Sequence, residues 1–163
     1  MKNLIIATIL ILTSSVANSA SWQKMENVDS FTDKKTLFYQ IAGKGKASYS
    51  SRDNGSLLYY YPGSGTLGLL TYGFYACGNS LDDPDGQTLQ IRIDDGDIFK
   101  AYLERDHSGY DFSRFFFTPN AKKKLVSRIE NGGMMRFRIQ QSCLGDNQTF
   151  DGKIFVEGKF PTN

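Results

Sequence analysis

Residues 134–143, MMRFRIQQSC, alternate between apolar and polar side chains, and this period of two decides the fold class. The apolar residues at odd numbers fall on one face of an extended strand, and the two arginines fall on the other. The segment TLQIRID, residues 88–94, repeats the pattern. Because such alternation is typical of a strand with one buried face, both segments predict β-structure over a core.

Similar short segments recur along the chain and are separated by turns rich in Gly, Asn and Asp. A spacing of about 8–12 residues between short strands favours an antiparallel β-sandwich or barrel. One segment departs from the period of two, because Leu125, Val126 and Ile129 form an apolar stripe with helical spacing, and Gly132 follows it. We therefore expect a mostly β domain with one α-helix at about 119–131.

Two glycine-containing segments predict loops. Residues 43–56, GKGKASYSSRDNGS, are polar and rich in Gly and Ser, with room for a short strand only at about 47–50. Residues 144–152, LGDNQTFDG, have the same composition. Because Gly, Asn and Asp are depleted in strands and common in turns, neither segment predicts a long strand.

The N-terminus has the order of a secretory signal peptide. Lys2 is followed by the apolar run 4–12, LIIATILIL, and then by the small residues of 13–20. The run is too short to span a bilayer, which needs about 20 apolar residues. We expect residues 1–20 to be a signal peptide of bacterial type and residues 21–163 to form a single β-sandwich domain that is periplasmic or secreted.

Composition and charge exclude little but set limits. The 163 residues contain 19 Lys and Arg against 17 Asp and Glu, a net charge of +2. So small a net charge favours neither nucleic acid nor anionic lipid as a partner. No second long apolar segment follows the signal, so we expect no membrane span in the mature domain. We also expect no cofactor.

The two cysteines, Cys77 and Cys143, predict a disulfide. An even pair in an exported protein is typical of a disulfide-bonded domain, because the compartment is oxidising. Neither residue belongs to a CxxC pair of the kind that holds zinc.

Catalytic and metal-binding patterns are weak. His107, the only histidine, lies between Asp106 and Ser108, but a catalytic triad needs residues that converge in space rather than adjoin in sequence. Asp83 and Asp85 offer oxygen ligands for calcium, yet Asp is also a common turn residue. We predict that the protein is not an enzyme and holds no metal, with calcium at these two aspartates as the alternative.

Candidate binding residues lie at two turns. Tyr59, Tyr60 and Tyr61 precede a Pro-Gly-Ser-Gly turn that contains Ser64, and Tyr60 faces opposite to its neighbours on a strand. Exposed tyrosine beside a glycine loop suits recognition of protein or sugar, and packing in the core is the alternative. The second candidate turn, 105–111, contains His107 and Tyr110.

Landmarks occur in a characteristic order along the mature chain: Trp22, Asp29-Ser30, a strand with Cys77, Phe115–Phe117, the helix 119–129, Arg136–Ile139 and the closing segment 150–158. In this layout the chain resembles small periplasmic β-sandwich proteins, first the accessory family associated with type VI secretion and more distantly the invasion-associated locus B family. The resemblance implies a non-enzymatic accessory or binding role in the periplasm. The expected partner is another protein of the envelope.

Two alternatives remain open at the level of sequence. Periplasmic inhibitors of lysozyme are also small disulfide-bearing β-proteins, and some insert a Ser-Gly-x-x-Tyr loop into the enzyme. Here Ser108-Gly109-Tyr110 lacks the two-residue gap. The other alternative is an immunity or exclusion protein linked to a phage or a toxin.

Overall fold

The computed structural model describes residues 21–29, 32–75, 87–101, 103–108, 112–143 and 146–161. Within these ranges the elements are, in chain order, β1 Gln23–Val28, β2 Lys35–Ala47, β3 Asn54–Tyr61, β4 Thr66–Tyr72, β5 Gln87–Ile93, β6 Phe99–Ala101, β7 Leu103–Ser108, β8 Phe112–Phe117, α1 Pro119–Ile129, β9 Gly133–Cys143 and β10 Asp146–Val156. The prediction of a mostly β chain with one helix at about 119–131 is confirmed.

The strands form one antiparallel sheet that curls into a half-barrel. Its order is β6-β5-β9-β10-β2-β3-β4-β8-β7, and β1 pairs with β2 beside this path. β2 accommodates two partners on one edge, because β1 pairs with residues 35–40 and β10 pairs with residues 44–47. The curled sheet thus has an inner face, which holds the core, and an outer face on the other side.

The core lies between the inner face and α1. Leu125 and Ile129 of the helix are fully buried and belong to the same cluster as Phe115, Met135 and Phe137. The alternation predicted for β5 and β9 is confirmed, since their apolar residues point inward while the arginines between them are exposed. After the helix the chain turns at Gly132, whose φ of 87° is a left-handed conformation that glycine adopts without strain.

Both loop predictions for the glycine segments are wrong in part. Residues 43–47 continue β2, and residues 146–152 begin β10. The reason lies in the core, because a side chain on Gly45 would overlap the ring of Phe150 and one on Gly152 would overlap the ring of Phe137. These glycines therefore allow aromatic rings to pack directly on the strand backbone, which outweighs their low intrinsic preference for strands.

Aromatic contacts connect the start and the end of the described chain. The ring of Trp22 meets the ring of Phe160 edge-on at 5.3 Å between centroids, and Phe160 also contacts Tyr60 at 4.9 Å. None of the described helices is both long and apolar enough to cross a membrane.

Candidate functional site: a basic sheet face

The outer face of β2, β10, β9 and β5 carries a row of four cations. Lys44 is paired in register with Lys153, Lys153 with Arg136, and Arg136 with Arg92. We call these four residues the basic row. With neighbouring strands about 4.8 Å apart, the row extends about 14 Å across the sheet.

A second row of outward side chains lies two residues along the strands, at about 6.8 Å from the basic row. It consists of Lys46, Asp151, Arg138 and Gln90, again in direct register. Together the two rows form what we call the basic face. All six of its Lys and Arg residues are exposed.

The basic face lies in an open groove of about 660 Å³. Six of the residues that line it are Lys or Arg and two are Asp, namely Asp53 and Asp151. The whole chain has 19 basic and 17 acidic residues, so the groove is strongly basic in a protein that is nearly neutral. Ile98, which is 62% exposed, adds an apolar contact surface to the groove.

Three of the arginines in the groove have fixed positions. Arg138 binds Asp151 through two hydrogen bonds, and this interaction together with the charge of Asp151 raises the pKa of Arg138 above its ordinary value. Arg136 donates to the backbone oxygen of Asp94 at 2.9 Å, and Arg92 donates to that of Gly96 at 3.1 Å. The guanidinium groups are thus oriented before any partner arrives.

The lysines of the basic face have no such partners. Among the described residues, Lys44, Lys46 and Lys153 form no ion pair and no side-chain hydrogen bond. Arg136 is hydrogen-bonded only to a neutral carbonyl, so its charge is not compensated either. Lys44, Lys153 and Arg136 are consecutive in the basic row, and they form a continuous stretch of uncompensated positive charge.

Tyrosines 59, 60 and 61 divide between the two faces as alternation requires. Tyr60 is 8% exposed and belongs to the core, whereas Tyr59 and Tyr61 point to the outer face. There they join Phe38 and Phe116 in a row of rings with centroids 5.2 to 6.4 Å apart, which we call the aromatic row. Because Tyr59 is only 6% exposed, most of this row packs on itself.

The turn at Ser64 is exposed as its composition suggests. The Ser64 hydroxyl donates to the Thr66 hydroxyl at 2.7 Å, and Lys122 of α1 donates to the backbone oxygen of Gly65. The turn is therefore tied to the helix, on the opposite side of the sheet from the basic face. Tyr61 lies near this turn, because it pairs in register with Thr66.

Several predicted site residues lie outside the described part of the structure. These are Cys77, Asp83, Asp85 and Tyr110, together with the side chains of His107 in β7 and Cys143 at the end of β9. In the part that is described, no group of three or more His, Cys, Asp or Glu side chains is placed to hold a metal ion.

Sequence reasoning missed the basic face although a signal for it was present. Arg136 and Arg138 alternate with apolar residues, and Lys44 and Lys46 show the same spacing. The net charge hid the concentration of cations, and the loop prediction for 43–56 removed the two lysines from the sheet. Only the strand order places β2, β10, β9 and β5 side by side and assembles the face.

Comparison with known proteins adds no further assignment: the chain matches no protein-family model, no curated protein and no solved structure.

Proposed function

We propose that this chain is an exported, non-enzymatic binding protein of the bacterial envelope that recognises another protein through its basic face. The observation that carries the proposal is the stretch of uncompensated cations, Lys44, Lys153 and Arg136, in an open groove. Exposed charges of one sign favour and steer an oppositely charged partner. The arginines held by backbone carbonyls present their free donors in a fixed geometry, which reduces the entropy lost on binding.

The chemistry of the groove supports binding more than catalysis. The described residues that line it include no His, Cys, Ser or Glu, and one of their two carboxylates, Asp151, is bound to Arg138. Covalent catalysis needs a nucleophile beside a base, and Lys44, Lys46 and Lys153 have no hydrogen-bonded side-chain partner among the described residues. Fixed cations and an exposed isoleucine provide recognition instead.

The layout of landmarks supports the same proposal from the sequence. The resemblance to the accessory family associated with type VI secretion implies a non-enzymatic accessory or binding role in the periplasm. The signal-peptide pattern at 1–20 supports export of the mature domain to the compartment of such a partner.

Site-specific photo-crosslinking in the native host tests the proposal. A benzoylphenylalanine replaces Gln140, an exposed outer-face residue two positions from Arg138, and in a control it replaces the exposed Lys123 of α1. We expect one discrete protein product from position 140 in the periplasmic fraction, lost when Lys153→Glu is added, and none from position 123. Full-length, uncut protein in the cytosol, or identical products from both positions, contradicts the proposal.

A further inference from the structure

We infer that the ligand of the basic row is an acidic segment of a polypeptide, rich in Asp and Glu, that lies across Lys44, Lys153, Arg136 and Arg92. This inference rests on the proposed function and specifies the chemistry of the partner. Three features support it: the register of the four cations, the composition of the groove, and the lack of compensating carboxylates for Lys44, Lys153 and Arg136 among the described residues.

In the free protein, the cations of the basic row repel one another. Like charges directly opposite each other on neighbouring strands destabilise a sheet, and here three such pairs follow in one row. The nearest acid in the second row, Asp151, is bound to Arg138. Arg92, at one end of the row, pairs with the exposed Asp95 at 3.7 Å. The repulsion among Lys44, Lys153 and Arg136 is uncompensated among the described residues, and an anionic ligand relieves it.

The distances between the cations match the distances between neighbouring side chains of a polypeptide. Cations on one strand, such as Lys44 and Lys46, are about 6.8 Å apart, which equals the distance between side chains i and i+2 of an extended segment. Cations on neighbouring strands are about 4.8 Å apart, close to the 5–6 Å between side chains i and i+4 of a helix. Carboxylates of a polypeptide thus reach several cations at once, and arginine forks bind carboxylate through two parallel hydrogen bonds.

The residues that line the groove favour a polypeptide over single-stranded nucleic acid. Single-stranded nucleic acid is held by aromatic side chains on which its bases stack. Among the described residues that line the groove, the one aromatic side chain is Phe137, a core residue with 4% exposure. Asp53 and Asp151 would repel a phosphate chain that is charged at every nucleotide, whereas a polypeptide can place an uncharged residue opposite them.

Fluorescence anisotropy with a labelled 12-residue peptide of alternating Glu and Thr is the direct test. The mature domain is titrated against this peptide and against a peptide with Gln in place of Glu. We expect saturable binding of the Glu peptide that weakens at least tenfold between 50 and 200 mM salt, and no binding of the Gln peptide. Lys153→Glu is expected to weaken binding by about fivefold or more.

Lys123→Glu is the matched control, because Lys123 is equally exposed and the change in net charge is the same, but it lies on α1 away from the groove. The affinity of the Lys123→Glu protein for the Glu peptide should stay within twofold of that of the parent protein. A thermal melt of each variant shows that it is folded. Equal weakening by both variants would mean that net charge alone attracts the peptide, and the inference would be overturned.

Two competitor arms identify another kind of ligand. One competitor is a 12-nucleotide single strand and the other is vesicles with anionic headgroups. The inference is overturned in favour of either competitor if it binds more tightly than the Glu peptide at equal salt and loses affinity for the Lys153→Glu protein. If the cross-link from position 140 persists while the Glu peptide fails to bind, the partner is a protein that does not use an acidic segment. The proposed function then stands without the inference.

Discussion

Arg138 and Asp151 face each other across β9 and β10 and form the one ion pair within the described basic face, with Nε to Oδ1 at 2.5 Å and Nη2 to Oδ2 at 3.0 Å. Both side chains are about half exposed, so solvent screens their attraction. The pair compensates Arg138 in the second row, whereas Lys46 of that row and Lys44, Lys153 and Arg136 of the basic row form no ion pair among the described residues. Asp151 therefore limits the positive potential without removing it.

Replacing Asp151 by Asn should strengthen the binding of the acidic peptide. The change leaves Arg138 without its carboxylate and adds one unit of positive charge to the groove. We expect a gain of about two- to fivefold in peptide affinity, while the free energy of unfolding falls by less than about 1 kcal/mol because the pair is exposed. Titration by anisotropy and urea denaturation measure the two effects. Weaker peptide binding in a folded Asp151→Asn protein would show that the carboxylate itself contacts the partner.

Arg138 should contribute no pH dependence to stability near neutrality. Its pKa is raised in the folded state, so its contribution is complete at every pH below the ordinary arginine value and is lost only as the pH rises through the folded-state pKa. Urea midpoints of the parent protein and of Arg138→Gln should therefore differ by a constant amount between pH 6 and pH 9. If the difference between the two urea midpoints changed with pH in this window, Arg138 would not be a fully charged partner of Asp151 throughout it.

Neutralising one member of the basic row should stabilise the free domain. Lys153→Gln removes the repulsion with both Lys44 and Arg136, and cross-strand charge pairs contribute about 0.2–1 kcal/mol each. We expect the free energy of unfolding to rise by a few tenths of a kcal/mol up to about 1 kcal/mol, while peptide affinity falls. A substitution that raises stability while it lowers affinity is typical of a residue retained for function. A Lys153→Gln protein that is less stable would mean that Lys153 has a structural contact of its own.

Gly68 is required by the ring of Tyr59, its direct partner across β3 and β4. A side chain at Gly68 would overlap that ring, because its Cβ would lie 2.6 Å from Cε2 of Tyr59 and still closer to Cζ. Gly68→Ala should lower the free energy of unfolding by about 1–3 kcal/mol, as overpacking does. Gly63→Ala is the control, because open space surrounds that position.

A double-mutant cycle separates the ring contact from the backbone effect of the same substitution. In a Tyr59→Ala background, Gly68→Ala should cost clearly less than in the parent protein, because the overlapping ring is gone. An equal cost in both backgrounds would assign the loss to the strand backbone and not to Tyr59.

The parts of the fold that follow from short-range pattern were predictable, and those that depend on partners were not. Alternation in β5 and β9 and the apolar stripe of α1 are local signals, and both are confirmed. The strand character of Gly45 and Gly152 depends on rings from Phe150 and Phe137 that are distant in sequence. No local propensity contains that information.

The same distinction applies to the candidate site. Alternation alone separates Tyr60 from Tyr59 and Tyr61, and the structure places them so. The basic row needs four strands whose order is β5-β9-β10-β2, while their order in the chain is different. A net charge of +2 summed over the chain could not reveal a surface that exists only after the strands are paired.

The predicted disulfide between Cys77 and Cys143 is the last test, and its neighbours in the chain support it. Gln141 donates from its side-chain amide to the backbone oxygen of Tyr75 at 2.9 Å. Tyr75 and Gln141 are each two residues from one of the cysteines, so the chain brings the two segments together. A bridge that closes so long a loop is expected to stabilise the domain by about 4 kcal/mol in the chain-entropy model.

Intact mass of the periplasmic protein, measured after alkylation with and without reductant, decides the pairing. We expect no alkylated cysteine without reductant and two with it, and a melting temperature that falls markedly on reduction. A Cys77→Ser, Cys143→Ser double variant should reproduce the reduced melting temperature, because it removes the bridge without leaving free thiols. Two alkylated thiols in the untreated periplasmic protein would show that the cysteines are unpaired, and the stability of the domain would then rest on the core between the sheet and α1 alone.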